Sequence, residues 1–162
     1  MTLNRLNLSK SSTSLAVVVI VYFGTRLANL LNMPLFWDEA SYIWIAQLIR
    51  RTGDWLMPIH PPMGGSYLPP LFMWITSVFL PASSEPALVG RVLSVVFGAL
   101  GLLGIYLAAS KIYGDRVGLI ASVLYVVSPF ELFYQRKALC DPLLATCGIW
   151  TLFFTLELME GS

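Results

Sequence analysis

Hydrophobic residues fall into long runs separated by short polar clusters, and the run lengths predict membrane-spanning helices. The first run extends from about Leu15 to Leu35. About twenty residues at roughly 1.5 Å each match a hydrocarbon layer of ~30 Å. Further spans are predicted at Leu88–Ser110, Val117–Tyr134 and Pro142–Met159, the middle one interrupted by Pro129 and Glu131. A stretch of mixed character, Phe36 to Ala87, separates the first span from the second. Within it, Pro70–Pro81 (PLFMWITSVFLP) would reach only about 16 Å as a helix, roughly half a bilayer. That length predicts an interfacial or re-entrant helix belonging to a long outer loop, 36–87.

Inside the same loop, Asp38–Arg51 carries a helical period. Tyr42, Ile45, Ala46 and Ile49 fall at i, i+3, i+4 and i+7, and Gly53 supplies a C-terminal stop. With Trp37, Tyr42 and Trp44 beside two carboxylates, this reads as a helix lying along the membrane surface. The expected fold is all-α: a polytopic membrane helix bundle of about four transmembrane helices, with surface helices in the first outer loop. Residues 1–162 are read as one unit with both ends cytoplasmic.

Composition sharpens this picture. The chain has 162 residues, 57% of them hydrophobic and 12% charged, with a mean hydropathy of +0.74. A soluble domain carries roughly 25% charged residues, so the deficit points to an integral membrane protein. A formal net charge of +1, without basic runs or zinc spacing, argues against a nucleic-acid partner. Arg5 and Lys10 precede the first run, which continues past signal-peptide length and lacks a small-residue cleavage pattern; an uncleaved first span is expected. Cys140 and Cys147, seven positions apart in a predicted helix, would lie roughly 10 Å apart, too far for a disulfide.

Charge distribution supports the topology less well. Arg5, Lys10, Lys111 and Arg116 fall inside, whereas Arg50, Arg51, Arg91, Arg136 and Lys137 fall outside, against the positive-inside tendency. Segment length is given the greater weight. Basic residues on the outer side then call for a reason, such as an anionic ligand.

Asp38 and Glu39 are the first candidates for chemistry. One reading makes Asp38 a helix cap with Glu39 in the dipole-favoured first turn; the other makes them functional carboxylates at the membrane surface. Asp141 has the same two readings, since Pro142 suits a first turn and Asp141 would cap it. If the Pro70–Pro81 segment does not cross, Asp38 and Asp141 share one face of the membrane. Arg91 and Arg26 lie within predicted spans, where ionisable residues raise the question of function, and a guanidinium suits bidentate phosphate binding. Arg136 and Lys137 read as exposed loop residues binding lipid headgroups. The lone histidine, His60, is a weak candidate for a metal ligand, and Gly64–Ser66 reads as a flexible turn.

The ordered set FWDEASYIWIAQLIRRTGDWLMP, YLPPLFMWITSVFL, GRVLSVVFGALGLLGIYLAASKIYG and SPFELFYQRKALCDPLLA resembles the N-terminal part of GT-C type membrane glycosyltransferases. It is similar to protein O-mannosyltransferases, to the aminoarabinose transferases that modify lipid A, and to bacterial dolichyl-phosphate-mannose-protein mannosyltransferase-like proteins. The resemblance covers about residues 15–155. It implies transfer of a sugar from a polyprenyl-phosphate donor to a lipid, glycan or protein acceptor at the outer face of the plasma (inner) membrane. By the same resemblance Asp38 is catalytic, Asp141 is the second acidic site residue, and Arg91 contacts the donor phosphate; Glu39 as a secondary catalytic residue and Arg26 as a helper at the phosphate are expected beside them. A divalent metal held by Asp38 and Asp141 is a further expectation. The chain departs from the aminoarabinose transferases at Tyr67-Leu68, where those carry Glu-Lys. Four spans are few for such an enzyme, so the chain is expected to be part of a longer one. A non-catalytic membrane accessory or lipid-binding subunit and a transporter fragment are the competing classes.

Overall fold

The computed structural model describes the backbone of residues 3–59 and 69–160, with side chains among them except those of 3–12, 82 and 160. Helices occupy nearly all of it: α1 Leu3–Leu27, α2 Trp37–Thr52, α3 Pro70–Phe79, α4 Pro86–Tyr113, α5 Asp115–Val127, α6 Pro129–Tyr134 and α7 Asp141–Glu160. Short 3-10 turns occur at Leu30–Asn32 and Leu80–Ala82, and no strand is present among the described residues. Three stretches are long and apolar enough to cross a membrane: Thr13–Asn32, Pro86–Tyr113 and Asp141–Met159. The molecule is a polytopic membrane helix bundle.

Two expected spans differ in detail. Helix α1 stops at Leu27, and Asn29 adopts a left-handed conformation (φ 54°) that turns the chain into the Leu30–Asn32 turn, so the helix ends short of Leu35. The third expected span is two helices rather than one. Pro129 has no N–H to continue α5, and Ser128 Oγ accepts from Glu131 N to open α6. Helix α5 alone, at 13 residues, reaches only about 20 Å.

Helix α4 is the axis of the bundle, packed against α1, α5 and α7. The core between them holds Tyr22, Val95, Leu102, Tyr125 and Val126. Hydrogen bonds onto α4 carbonyls add to it: Tyr22 Oη donates to Val95 O at 2.8 Å, and Thr146 Oγ1 to Phe97 O at 2.7 Å. Such interhelical bonds and small contact residues hold helices together where lipid supplies no hydrophobic drive. At Gly90 a Cβ would come within 2.5 Å of Ala138 Cβ, so the missing side chain lets the 135–140 loop lie directly on α4.

Helices α2 and α3 cover one end of this bundle. Ile45 and Ile49 of α2 pack on Met73 of α3, and Trp74 Nε1 donates to Trp55 O at 2.7 Å. Ile43, Phe72 and Ala138 form a second cluster that joins the pair to the 135–140 loop. Helix α2 ends as expected: Gly53 (φ 73°) donates its N–H to Ile49 O. The short α3 keeps Leu71, Val78 and Phe79 exposed.

Candidate active site

Glu39 is the hub of the α2 end, and it is fully buried. It occupies the third position of α2, where its Oε2 accepts from Phe36 N at 3.2 Å. This closes the helix start from within, so the cap expected of Asp38 is made by Glu39 instead. Arg91 of α4 meets the carboxylate bidentately, Nε on Oε1 at 2.6 Å and Nη2 on Oε2 at 2.8 Å. Ala138 N donates to Oε1 at 2.9 Å, and Lys137 Nζ stands 3.8 Å from Oε2. Burial pushes the Glu39 carboxyl up, but the bonds from Arg91, Ala138 N and Phe36 N outweigh it and hold it below its usual range.

Arg91 is as fully engaged as its partner. Its Nη1 donates to Leu30 O and to Met33 O, and its Nη2 reaches Pro34 O at 3.5 Å. Together with the two bonds to Glu39, these use all five guanidinium N–H groups. The pair therefore ties four pieces of chain at one buried point: the 30–34 crossover, the start of α2, α4, and the 135–140 loop. Lys137, expected to be exposed, is 4% exposed and donates to Pro34 O at 2.7 Å.

Asp38 and Asp141 behave differently. Both are exposed, in the first turns of α2 and α7. Leu144 N already bonds Cys140 O, so Asp141 lies inside the first turn and not at the cap position. Tyr42 stands one turn beyond Asp38 on the same helix face, and its hydroxyl meets Cys140 Sγ, the neighbour of Asp141, at 3.5 Å. That contact brings the two helix starts together. Burial pushes the Tyr42 hydroxyl up, as do the bond to Cys140 and the charges of Asp38 and Asp141. The Cys140 thiol is raised by burial and by the same two carboxylates. Two solvated acids thus flank one phenol–thiol contact. Cys140 and Cys147 are both free.

Arg26 belongs to a neighbouring cluster. It is fully buried beneath the bundle end, its guanidinium 4.6 Å over the Tyr22 ring. Nε donates to Gln135 Oε1 at 3.1 Å and Nη1 to Thr25 Oγ1 at 2.8 Å, while Nη2 has no hydrogen-bond partner among the described residues. Gln135 in turn donates to Glu131 Oε2 at 2.6 Å. The cluster connects to the Glu39 hub through the chain from Gln135 to Ala138 and through the turn from Arg26 to Leu30, whose carbonyl Arg91 holds.

No group of three or more His, Cys, Asp or Glu that could hold a metal occurs among the described residues. Asp38 and Asp141 supply two carboxylates, the number with which Mg²⁺ is commonly held when substrate phosphates complete its shell. His60, Gly64–Ser66 and Tyr67-Leu68 lie outside the described residues. Sequence reasoning did not find Tyr42, Gln135 or the buried Lys137. The i, i+4 spacing of Asp38 and Tyr42 was available as a signal for the first; nothing in the sequence pointed to the others.

The described residues thus form a membrane helix bundle with two exposed carboxylates at one end and a buried ion pair behind them. A family model described as dolichyl-phosphate-mannose-protein mannosyltransferase matches residues 67–161, more than half of the chain. The chain belongs to that family, a family of glycosyltransferases. The match takes in Arg91 and Asp141 and begins after Asp38 and Glu39. No curated protein and no solved structure matches the chain.

Proposed function

We propose that the chain is the carboxylate-bearing part of an enzyme that moves a sugar from a polyprenyl-phosphate donor to a hydroxyl of a lipid, glycan or protein acceptor at the outer face of the membrane. The observation that carries this reading is the pairing of Asp38 and Asp141 around Tyr42 and Cys140, above an ion pair that fixes both helix starts.

The chemistry follows from what each group has free. Asp38 is solvated and makes no cap bond, so its oxygens are open to accept the proton of an acceptor hydroxyl. The acceptor oxygen forms its bond to the anomeric carbon as the carbon–oxygen bond to phosphate breaks, and the electron pair leaves on the phosphate. One displacement from the face opposite the phosphate inverts the anomeric configuration. Asp141 orients the acceptor or, with Asp38, holds a divalent ion; when bound, such an ion would supply positive charge to the leaving phosphate.

Arg91 acts chiefly by holding Glu39, and with Lys137 beside it two cations face one carboxylate, which leaves the hub one positive charge toward the phosphate. The weakest bond of Arg91, to Pro34 O, is the one that can be exchanged for a phosphate oxygen, and Lys137 shares that carbonyl with spare N–H groups. Arg26 contributes its unpartnered Nη2. Asp38→Asn tests the reading, because it keeps shape and removes the base. Turnover should fall by roughly 10²–10⁴-fold with little change in thermal stability. Near wild-type turnover, or a product that retains the donor's anomeric configuration by NMR, would refute it.

A further inference from the structure

At the other end of α2, about 18 Å from Asp38 at 1.5 Å per residue, a cleft of about 430 Å³ opens between α2, the Leu80–Ala82 turn and the start of α4. Gln47, Arg50 and Arg51 line one side, and Leu80, Pro81 and Pro86 the other. Both arginines are exposed, and among the described residues neither has a hydrogen-bond or ion-pair partner. Glu85, the residue before Pro86, is not part of the lining. Two uncompensated guanidiniums thus face an apolar wall across a space large enough for a small polar headgroup.

The position of the cleft indicates its occupant. Its apolar wall continues the interfacial helix α3, whose Leu71, Val78 and Phe79 are exposed, into the first residues of the α4 span. Trp44 on α2 and Trp55 just beyond it are exposed as well, as aromatic side chains are at a membrane–water boundary. A soluble anion would need only the arginines and would have no use for the apolar wall. Complementing the α2 dipole explains basic residues in its last turn, but not an open cleft beside them.

We propose that this cleft binds the phosphate headgroup of an anionic bilayer phospholipid, with Arg50 and Arg51 on the phosphate, Gln47 donating to the headgroup, and Leu80, Pro81 and Pro86 against the proximal acyl chain. The site is separate from the Asp38–Asp141 pair and does not rest on the proposed transfer reaction. A lipid held there would anchor the C-terminal end of the helix whose other end carries Asp38.

Native mass spectrometry of the detergent-solubilised chain, titrated with phosphatidylglycerol or phosphatidylcholine, tests the proposal. One phosphatidylglycerol should be retained in preference to phosphatidylcholine. A juxtamembrane basic residue favours an anionic surface roughly fivefold, so Arg50→Gln/Arg51→Gln should reduce the preference by roughly thirtyfold. Gln47→Trp, which fills the cleft and leaves both charges, should abolish the retained lipid, and covers the case in which the double variant does not fold. Arg116→Gln, remote from the cleft, should change nothing. Equal retention of the two lipids, or undiminished preference in folded Gln47→Trp, overturns the proposal. Displacement of the lipid by millimolar inorganic phosphate would make this a soluble-phosphate site and overturn the lipid assignment.

Discussion

Glu39 and Asp38 are neighbours in sequence with opposite environments, and the difference is a matter of helix geometry. Successive residues on a helix point about 100° apart, so only one of the two can face α4. Glu39 does, and removing its charge leaves Arg91 buried without a counter-ion. Glu39→Gln should cost about 3–5 kcal/mol, the usual penalty for breaking one side of a buried pair, readable by thermal unfolding in detergent. Its carboxyl titrates below its unfolded value in the folded state. The stability it contributes is therefore present in full above the unfolded pKa near 4.5. It is lost as pH falls through the lower folded value. A wild-type unfolding midpoint that is level from pH 7 to about 5 and falls below that, with a shallower acid limb in Glu39→Gln, is the expected outcome.

At the scale of elements, the placement of Asp141 depends on how closely the 135–140 loop lies on α4. The contact at Gly90 is close enough that even a Cβ would meet Ala138. Gly90→Val should cost about 1–3 kcal/mol as the loop is pushed off. It should also lower turnover, because Ala138 N leaves Glu39 and Asp141 moves with the loop. Gly24 is the contrast, with nothing within 4 Å of an added Cβ. Gly24→Ala should be neutral or stabilising by up to about 1 kcal/mol. Both substitutions raise helix propensity, so equal losses in the two variants would show that the effect at Gly90 does not come from its contact with the loop.

At the scale of the molecule, the site requires α2, α3 and the 135–140 loop on one side of the membrane. Helix α3, with 10 residues, is about 15 Å long and too short to cross. In a background with Cys140 and Cys147 replaced by serine, Ser83→Cys should be labelled by an impermeant maleimide from outside. Asp115→Cys should be protected. The reverse pattern, or equal labelling of both, would separate the two carboxylates from a common outer face.

Run length and periodicity alone determined that the chain is a helical membrane bundle, that the apolar run at Pro70–Phe79 is too short to reach across a bilayer, and that α2 is amphipathic and stops at Gly53. These are local properties: a 3.6-residue period and a ~30 Å solvent constrain each segment by itself. The DE pair and Asp141 were also legible as candidates, because acidic residues stand out at span ends in a chain with so little charge, although a role in the first helical turn accounted for them as well. Which carboxylate was buried and which free was not legible, since either reading satisfied the first turn of α2. That was decided only when α4 brought Arg91, and the loop brought Ala138 N, to within hydrogen-bond distance of Glu39. The same holds for Lys137, read as an exposed loop cation and in fact packed on Pro34. A charged residue becomes buried when partners distant in sequence converge on it, and that convergence exists only in the tertiary structure.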